Sequence, residues 1–274
     1  MERIIGKARS AIVGFVAAVA FAKAIQGINS LIQANIELEA SFAGIRKTVD
    51  ASDAEFEQLK NRVIGLSRVI PVNVNELNKI GELGGQLGIS TQGLLEFTET
   101  IAKFGTVTGL STDEAAMGLA QLRTVMGASE QDIKKFASTI FELGRSSNAT
   151  ERDVMQFSLN IAGAGRTAGM SFDKIAALAS SLASVGLHAE KAGSAMSRLI
   201  QDMQKAVASG GDKLDLFAKV ADSPSTAHFI KLFKEDAAQA IMLFLRGLKD
   251  LKDSGQEVLP ILDALGLKNV RIVD

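Results

Sequence analysis

Apolar side chains recur along the chain at steps of four and three, and one block of this pattern occurs three times. The blocks open with Gly88-Ile89-Ser90, Gly127-Ala128-Ser129 and Gly169-Met170-Ser171. Four residues past each Ser stand Leu94, Ile133 and Ile175, and seven past stand Phe97, Phe136 and Leu178. Eleven past come Ile101, Ile140 and Leu182, and fourteen past come Phe104, Leu143 and Val185. This spacing places the side chains on one stripe of an α-helix. Each Ser is an N-cap candidate, because its hydroxyl can accept from the free amides of a first turn. Position fifteen is Gly in every block (Gly105, Gly144 and Gly186), a residue suited to a left-handed C-cap. Each block therefore predicts one capped, amphipathic helix of about four turns.

A second set of cap signals starts helices between the blocks. Asn73 is followed by Glu76, Ser111 by Glu114 and Thr150 by Asp153, at offsets of 38 and 39 residues. Behind them lie Leu77, Ile80 and Leu83; Ala115, Leu119 and Leu122; and Val154, Phe157 and Ile161. The repeating unit is thus a helix pair of about 39 residues, a size found in helical hairpin arrays. The fold class read from the pattern is all-α, a bundle or array of amphipathic helical hairpins. The unit lacks the Trp, Tyr and Pro signature of tetratricopeptide repeats. Gly81, Gly84, Gly85, Gly88, Gly163, Gly165 and Gly169 lie in or near the ends of the first helices. They imply either close helix approach or a soft stretch, since Gly inside a helix costs up to about 1 kcal/mol relative to Ala.

The pattern divides the chain into an apolar N-terminal helix over 1–35, lead-in helices over 36–71, the hairpin core over 72–208 and C-terminal helices over 209–274. Ala11 to Ala22 carries no polar side chain and follows Arg3, Lys7 and Arg9. A signal peptide cut near Ala18-Val19-Ala20 fits that arrangement, and so does a membrane-active helix. The apolar positions continue through Ile25, Ile28, Leu31 and Ile32, which favours one longer packed or partner-facing helix. Ile12, Phe15, Val16, Val19 and Ile25 are its candidate partner- or membrane-facing positions. The uninterrupted run is shorter than the roughly 20 residues that span a bilayer.

Ser52-Asp53-Ala54-Glu55 is a capping box, opening a helix that carries Phe56, Leu59, Val63 and Leu66 and stops before Pro71. Ala189 to Val207 reads as a helix with Met196, Leu199, Ile200, Met203 and Val207 on one side, broken by Ser209-Gly210-Gly211-Asp212. After a polar link at Asp222-Ser223-Pro224-Ser225, Phe229 to Leu251 reads as one long helix and Ser254 to Leu267 as a short final one. Arg271-Ile272-Val273-Asp274 begins an apolar pattern without finishing it, so the natural chain is expected to continue.

Composition removes several kinds of chemistry. There is no Cys, hence no thiol nucleophile and no Cys-ligated metal. Thirty basic and 31 acidic residues leave a formal charge of −1, which argues against a general electrostatic grip on nucleic acid, and no sequence-specific binding is expected. The chain has no Trp or Tyr for base stacking. Its only histidines, His188 and His228, are 40 positions apart and read as surface or capping residues. The 14 Phe, set at helical spacing, read as core. No P-loop, Gly-x-Ser-x-Gly elbow or His-Glu-x-x-His motif occurs. Glu37 with Glu39 and Asp212 with Asp215 read as solvated helix faces. No catalytic residue, cofactor site or metal site is assigned, and the chain is not expected to be an enzyme.

Several phrases together resemble the core region of phage tail tape measure proteins. They are Glu37-Leu38-Glu39-Ala40-Ser41-Phe42-Ala43-Gly44-Ile45-Arg46-Lys47-Thr48-Val49-Asp50, then Leu66-Ser67-Arg68-Val69-Ile70-Pro71-Val72, Glu76-Leu77 and Gly84-Gly85-Gln86-Leu87-Gly88-Ile89. Leu95 to Lys103, Ser111 to Ala116 and Leu262 to Leu267 continue the likeness, which covers roughly residues 30–274. Family members are usually much longer, with extended coiled stretches after this core, so length measurement cannot reside in these residues alone.

The resemblance implies a structural virion protein of the tail lumen, made in the host cytoplasm during assembly. It implies templating of tube polymerisation, tail-length determination and exit during genome ejection. Implied partners are further copies of itself and tail tube, tail tip or baseplate proteins, with host membrane contact during ejection. Phages, prophages and tailocins share the family. Two other readings stand beside it: a membrane-active or pore-forming helical protein resting on residues 1–35, and a helical-repeat binding scaffold. A single helix of all 274 residues would span about 410 Å, whereas the capped pairs predict a compact module.

Overall fold

The computed structural model describes Gln33 and residues 36–267, which are helices and connecting turns with no strand among them. Ile12, Phe15, Val16, Val19, Ile25 and the last seven residues fall outside the described residues. The chain forms two compact units, one ending at Leu95 and the other beginning at Glu96.

The first unit contains α1, described over 36–48, α2 (Asp53–Leu66) and α3 (Val74–Gln86). The Ser52 capping box starts α2: Ser52 Oγ accepts from the Glu55 N–H at 3.3 Å, and the Glu55 carboxylate accepts from the Ser52 N–H at 2.8 Å. Phe56, Leu59 and Val63 are buried, and Phe56 meets Phe42 of α1 edge-on at 6.3 Å. The helix ends at Leu66, so Ile70 can turn inward ahead of Pro71 and bury. A polar contact crosses from α3 to α1, where Asn78 Nδ2 donates to Ser41 Oγ at 2.8 Å.

The helix α4 (Leu94–Thr108) begins two residues before the boundary between the units. In the second unit follow α5 (Thr112–Met126), α6 (Asp132–Ser146), α7 (Glu151–Thr167), α8 (Phe172–Ser184) and α9 (Ala189–Ser209). The central helix is α7, which touches α5, α6, α8 and α9 and buries Phe157 and Ile161 completely. Every described Phe except the half-buried Phe141 is buried.

The C-terminal helices α10 (Asp212–Val220), α11 (Thr226–Glu235), α12 (Ala237–Asp253) and α13 (Leu259–Ala264) complete this unit. They do not form a body of their own: Phe217, Phe229, Phe244 and Leu262 share one core with Phe157, Ile175 and Leu199. The expected long helix over Phe229–Leu251 is two helices. Asp236 separates them, at φ −151° and ψ 83°. Its N–H closes α11 on the Leu232 carbonyl at 2.7 Å, while its carboxylate caps α12 by accepting from the Gln239 N–H at 3.1 Å. The short α10 and the six-residue α13 replace, respectively, an unassigned stretch and a longer expected helix.

Candidate functional site

Each Gly-x-Ser junction performs two jobs. Gly88, Gly127 and Gly169 are left-handed, with φ of 75°, 61° and 78°. In each case the next residue donates back across the helix end: Ile89 to the Gly84 carbonyl, Ala128 to Arg123 and Met170 to Gly165, at 3.0, 2.9 and 2.9 Å. These 6→1 bonds are the Schellman closure, which satisfies carbonyls left over at the ends of α3, α5 and α7. The Ser residues then open the second helices in different ways. Ser171 is the N-cap of α8, accepting from the Lys174 N–H at 3.5 Å. Ser129 lies one turn ahead of α6, with its N–H and hydroxyl both donated to the Asp132 carboxylate at 3.0 and 2.7 Å. Those bonds, with Ser129 Oγ foremost and then Lys135, hold the Asp132 pKa down at about 2. Ser90 accepts from the Gly93 N–H at 3.2 Å before α4 begins.

The Gly residues at position fifteen diverge. Gly186 is left-handed (φ 82°), just beyond α8. Gly105 and Gly144 do not adopt the left-handed C-cap; both stay inside their helices. After α4 the left-handed residue is Gly109, four positions later. In α6 the bare Gly144 makes room for Glu151, whose side chain would lie 2.6 Å from a Cβ there. The apolar stripe also fades at its end. Leu94, Ile133 and Ile175 are buried, as are the next two positions in each block, but Leu143 is half-buried and Val185 is 73% exposed. Val185 follows the last residue of α8 and has left the helical register, with ψ near 12°.

One repeat apart, equivalent positions bond to each other. Arg152 in the first turn of α7 pairs with Glu114 in the first turn of α5. The Arg152 hydrogen bond, then that of Ser111, lowers the Glu114 pKa. At the other end Arg166 donates to the Val125 carbonyl at 2.8 Å and lies over Gly127, where any Cβ would collide with it. From α9, Ser197 and Gln204 donate to the Asn160 and Thr167 carbonyls at 2.6 and 2.7 Å. Between α5 and α7 start therefore meets start and end meets end, and the contacts of α9 run in the same order along α7, so α5, α7 and α9 lie parallel in one row. The helices α6 and α8 form a second row, closed by Phe136 on Phe172 at 4.0 Å and by Thr139 donating to Asp173 at 3.0 Å.

The next helix of the second row is α12, which contacts α8. Their N-terminal ends are tied by Lys174 Nζ to Asp236 Oδ2 at 2.8 Å. Burial alone would raise the Asp236 pKa, but bonds from Lys174 and from the Gln239 and Ala238 N–H groups outweigh it and leave the carboxyl below its usual value. Toward their C-terminal ends a groove of about 440 Å³ lies between the two helices. Leu182, Leu245 and Leu248 line it, with the exposed Val185 and Met242 at its mouth and Arg246, Lys249 and Lys252 along its α12 side.

His188 and His228 are exposed, and among the described residues no group of three or more His, Asp or Glu side chains is placed to hold a metal ion. No helix of the described residues is long and apolar enough to cross a membrane. Among curated proteins none matches the chain. A family match does cover most of it, over residues 60–266, spanning α3 to α13 and every Gly-x-Ser junction. The chain belongs to the family described as phage-related minor tail protein.

Proposed function

We propose that this chain is a tail tape measure protein, acting in tail assembly, tail-length determination and ejection of the genome through the tail tube. Membership of the minor tail protein family, joined to the tape-measure phrases at Leu66–Val72, Gly84–Ile89 and Leu95–Lys103, is the observation that supports this reading. The family carries the coarser statement, a virion-associated structural protein of the phage tail.

Within that reading, the folded units serve as an anchoring or gating module, and the measuring itself is not assigned to them. The 21-residue α9 is only about 30 Å long, and the repeats are short capped hairpins joined side by side. Several copies would occupy the tail lumen after assembly in the host cytoplasm, contacting tube subunits and the tip or baseplate. Contact with the host membrane during ejection is assigned to residues 1–35, whose Ala11–Ala22 run is apolar. Chemical cross-linking of purified tails, read by mass spectrometry, tests this placement. Cross-links from this chain to tube subunits, protected from external protease until the tube is opened, are expected. Absence of the chain from tails that are otherwise complete contradicts it.

A further inference from the structure

We propose that the groove between the C-terminal halves of α8 and α12 docks an amphipathic α-helix of a partner protein, one that carries aliphatic side chains on one edge and carboxylates beside them. Between α6 and α8 the N-terminal ends are closed by Phe136 against Phe172. Between α8 and α12 the N-terminal ends are tied by Lys174 and Asp236, and the groove opens toward the C-terminal ends. The open end leaves Val185 73% and Met242 41% exposed above an apolar floor. Large side chains exposed together over a concave apolar surface mark an interaction site.

Charge selects the occupant. Three cationic side chains, Arg246, Lys249 and Lys252, line the groove, and no carboxylate does. Lys249 is ion-paired with Asp253 one turn on, at 2.6 Å, and Lys252 is not free either, so a docked carboxylate competes for both. They are spaced along α12 at three-residue steps, so a helix laid beside it meets them with carboxylates at matching helical spacing. The volume of about 440 Å³ takes a few side chains and not a whole helix, as when a helix lays one edge into a groove. Concavity disfavours a lipid surface, which would reach Val185 and Met242 but not the floor at Leu182 and Leu248.

The test uses the full chain and a fluorescent helical peptide of about 18 residues, long enough to hold a helix when stapled. The peptide has Leu at helical spacing on one edge flanked by Glu; a sister peptide has Lys in place of Glu. Two variants keep the core intact: Val185→Asp with Met242→Asp, and Arg246→Glu with Lys249→Glu and Lys252→Glu. Both are checked for unchanged helical circular dichroism and melting temperature. Saturable anisotropy with the Glu peptide is expected, weakened at least about tenfold in each variant, with the charge-reversed protein preferring the Lys peptide. The proposal is overturned by equal binding of the two peptides, by binding that survives Val185→Asp with Met242→Asp, or by no binding to the unmodified chain. Sedimentation with phosphatidylglycerol-containing vesicles in the absence of peptide binding would assign the face to lipid and also overturn it.

Discussion

Gly247 of α12 lies directly against the carbonyl oxygen of Val220 at the end of α10: a Cβ on Gly247 would sit 1.7 Å from that oxygen. The obstacle is backbone, which cannot rotate aside as a side chain can. Gly247→Ala should therefore cost about 3 kcal/mol or more, the upper range for an overpacked core. Gly163, in α7, is the contrast. Its nearest neighbour would be 4.0 Å from a Cβ, so the helix gains alanine's propensity without a clash. Gly163→Ala should stabilise by about 0.5–1 kcal/mol. Urea unfolding of both variants checks the pair, and destabilisation by Gly163→Ala would contradict the packing described for α7.

The repeat stripe makes a second contrast. Ile175 is fully buried, whereas Val185, ten residues on in the same block, is exposed. Ile175→Ala should lose about 2–5 kcal/mol through the cavity it leaves. Val185→Ala should change stability by no more than about 0.5 kcal/mol. Thermal or urea melts distinguish them; comparable losses would mean that Val185 packs into the core.

The turn before α6 should make stability sensitive to acid. Asp132 has a pKa of about 2 against the usual 3.8, because the folded chain hydrogen-bonds its ionised form. A carboxyl depressed by folding contributes fully above its unfolded pKa, and that contribution is lost as pH falls through the folded value. Asp132→Asn should therefore flatten the urea midpoint between about pH 4 and about pH 2 relative to the unmodified chain. Parallel curves for the two proteins would show that the carboxylate is not held by Ser129 in solution.

How much of this was legible in the sequence depends on how local each signal is. The capping boxes at Ser52, Ser111 and Thr150 need only four residues each, and the structure forms all three. The apolar stripes likewise give the buried faces of α5, α7 and α9. The break at Asp236 hides because apolar residues continue through it at four-residue steps, at Phe229, Phe233, Ala237, Ile241 and Leu245. Its only local trace is Asp236 followed by Gln239 three positions on, a capping pattern inside an unbroken stripe. Gly105 and Gly247 show the harder case. Gly105 stays helical because α4 runs on to Thr108, and Gly247 is dictated by the approach of α10. The cause at Gly247 lies far from the residue in sequence, at Val220. The groove beside α12 is also invisible there, since it arises where α12 takes the place of a second hairpin helix after α10 and α11 intervene.

The most direct measurement of the proposed role is electron microscopy of particles produced with the gene deleted and then restored in trans. Without this chain, heads lacking tails, or tails of uncontrolled length, are expected, and restoration should return tails of uniform length. Tails of normal number and unchanged length in the deletion would contradict a role in building the tail.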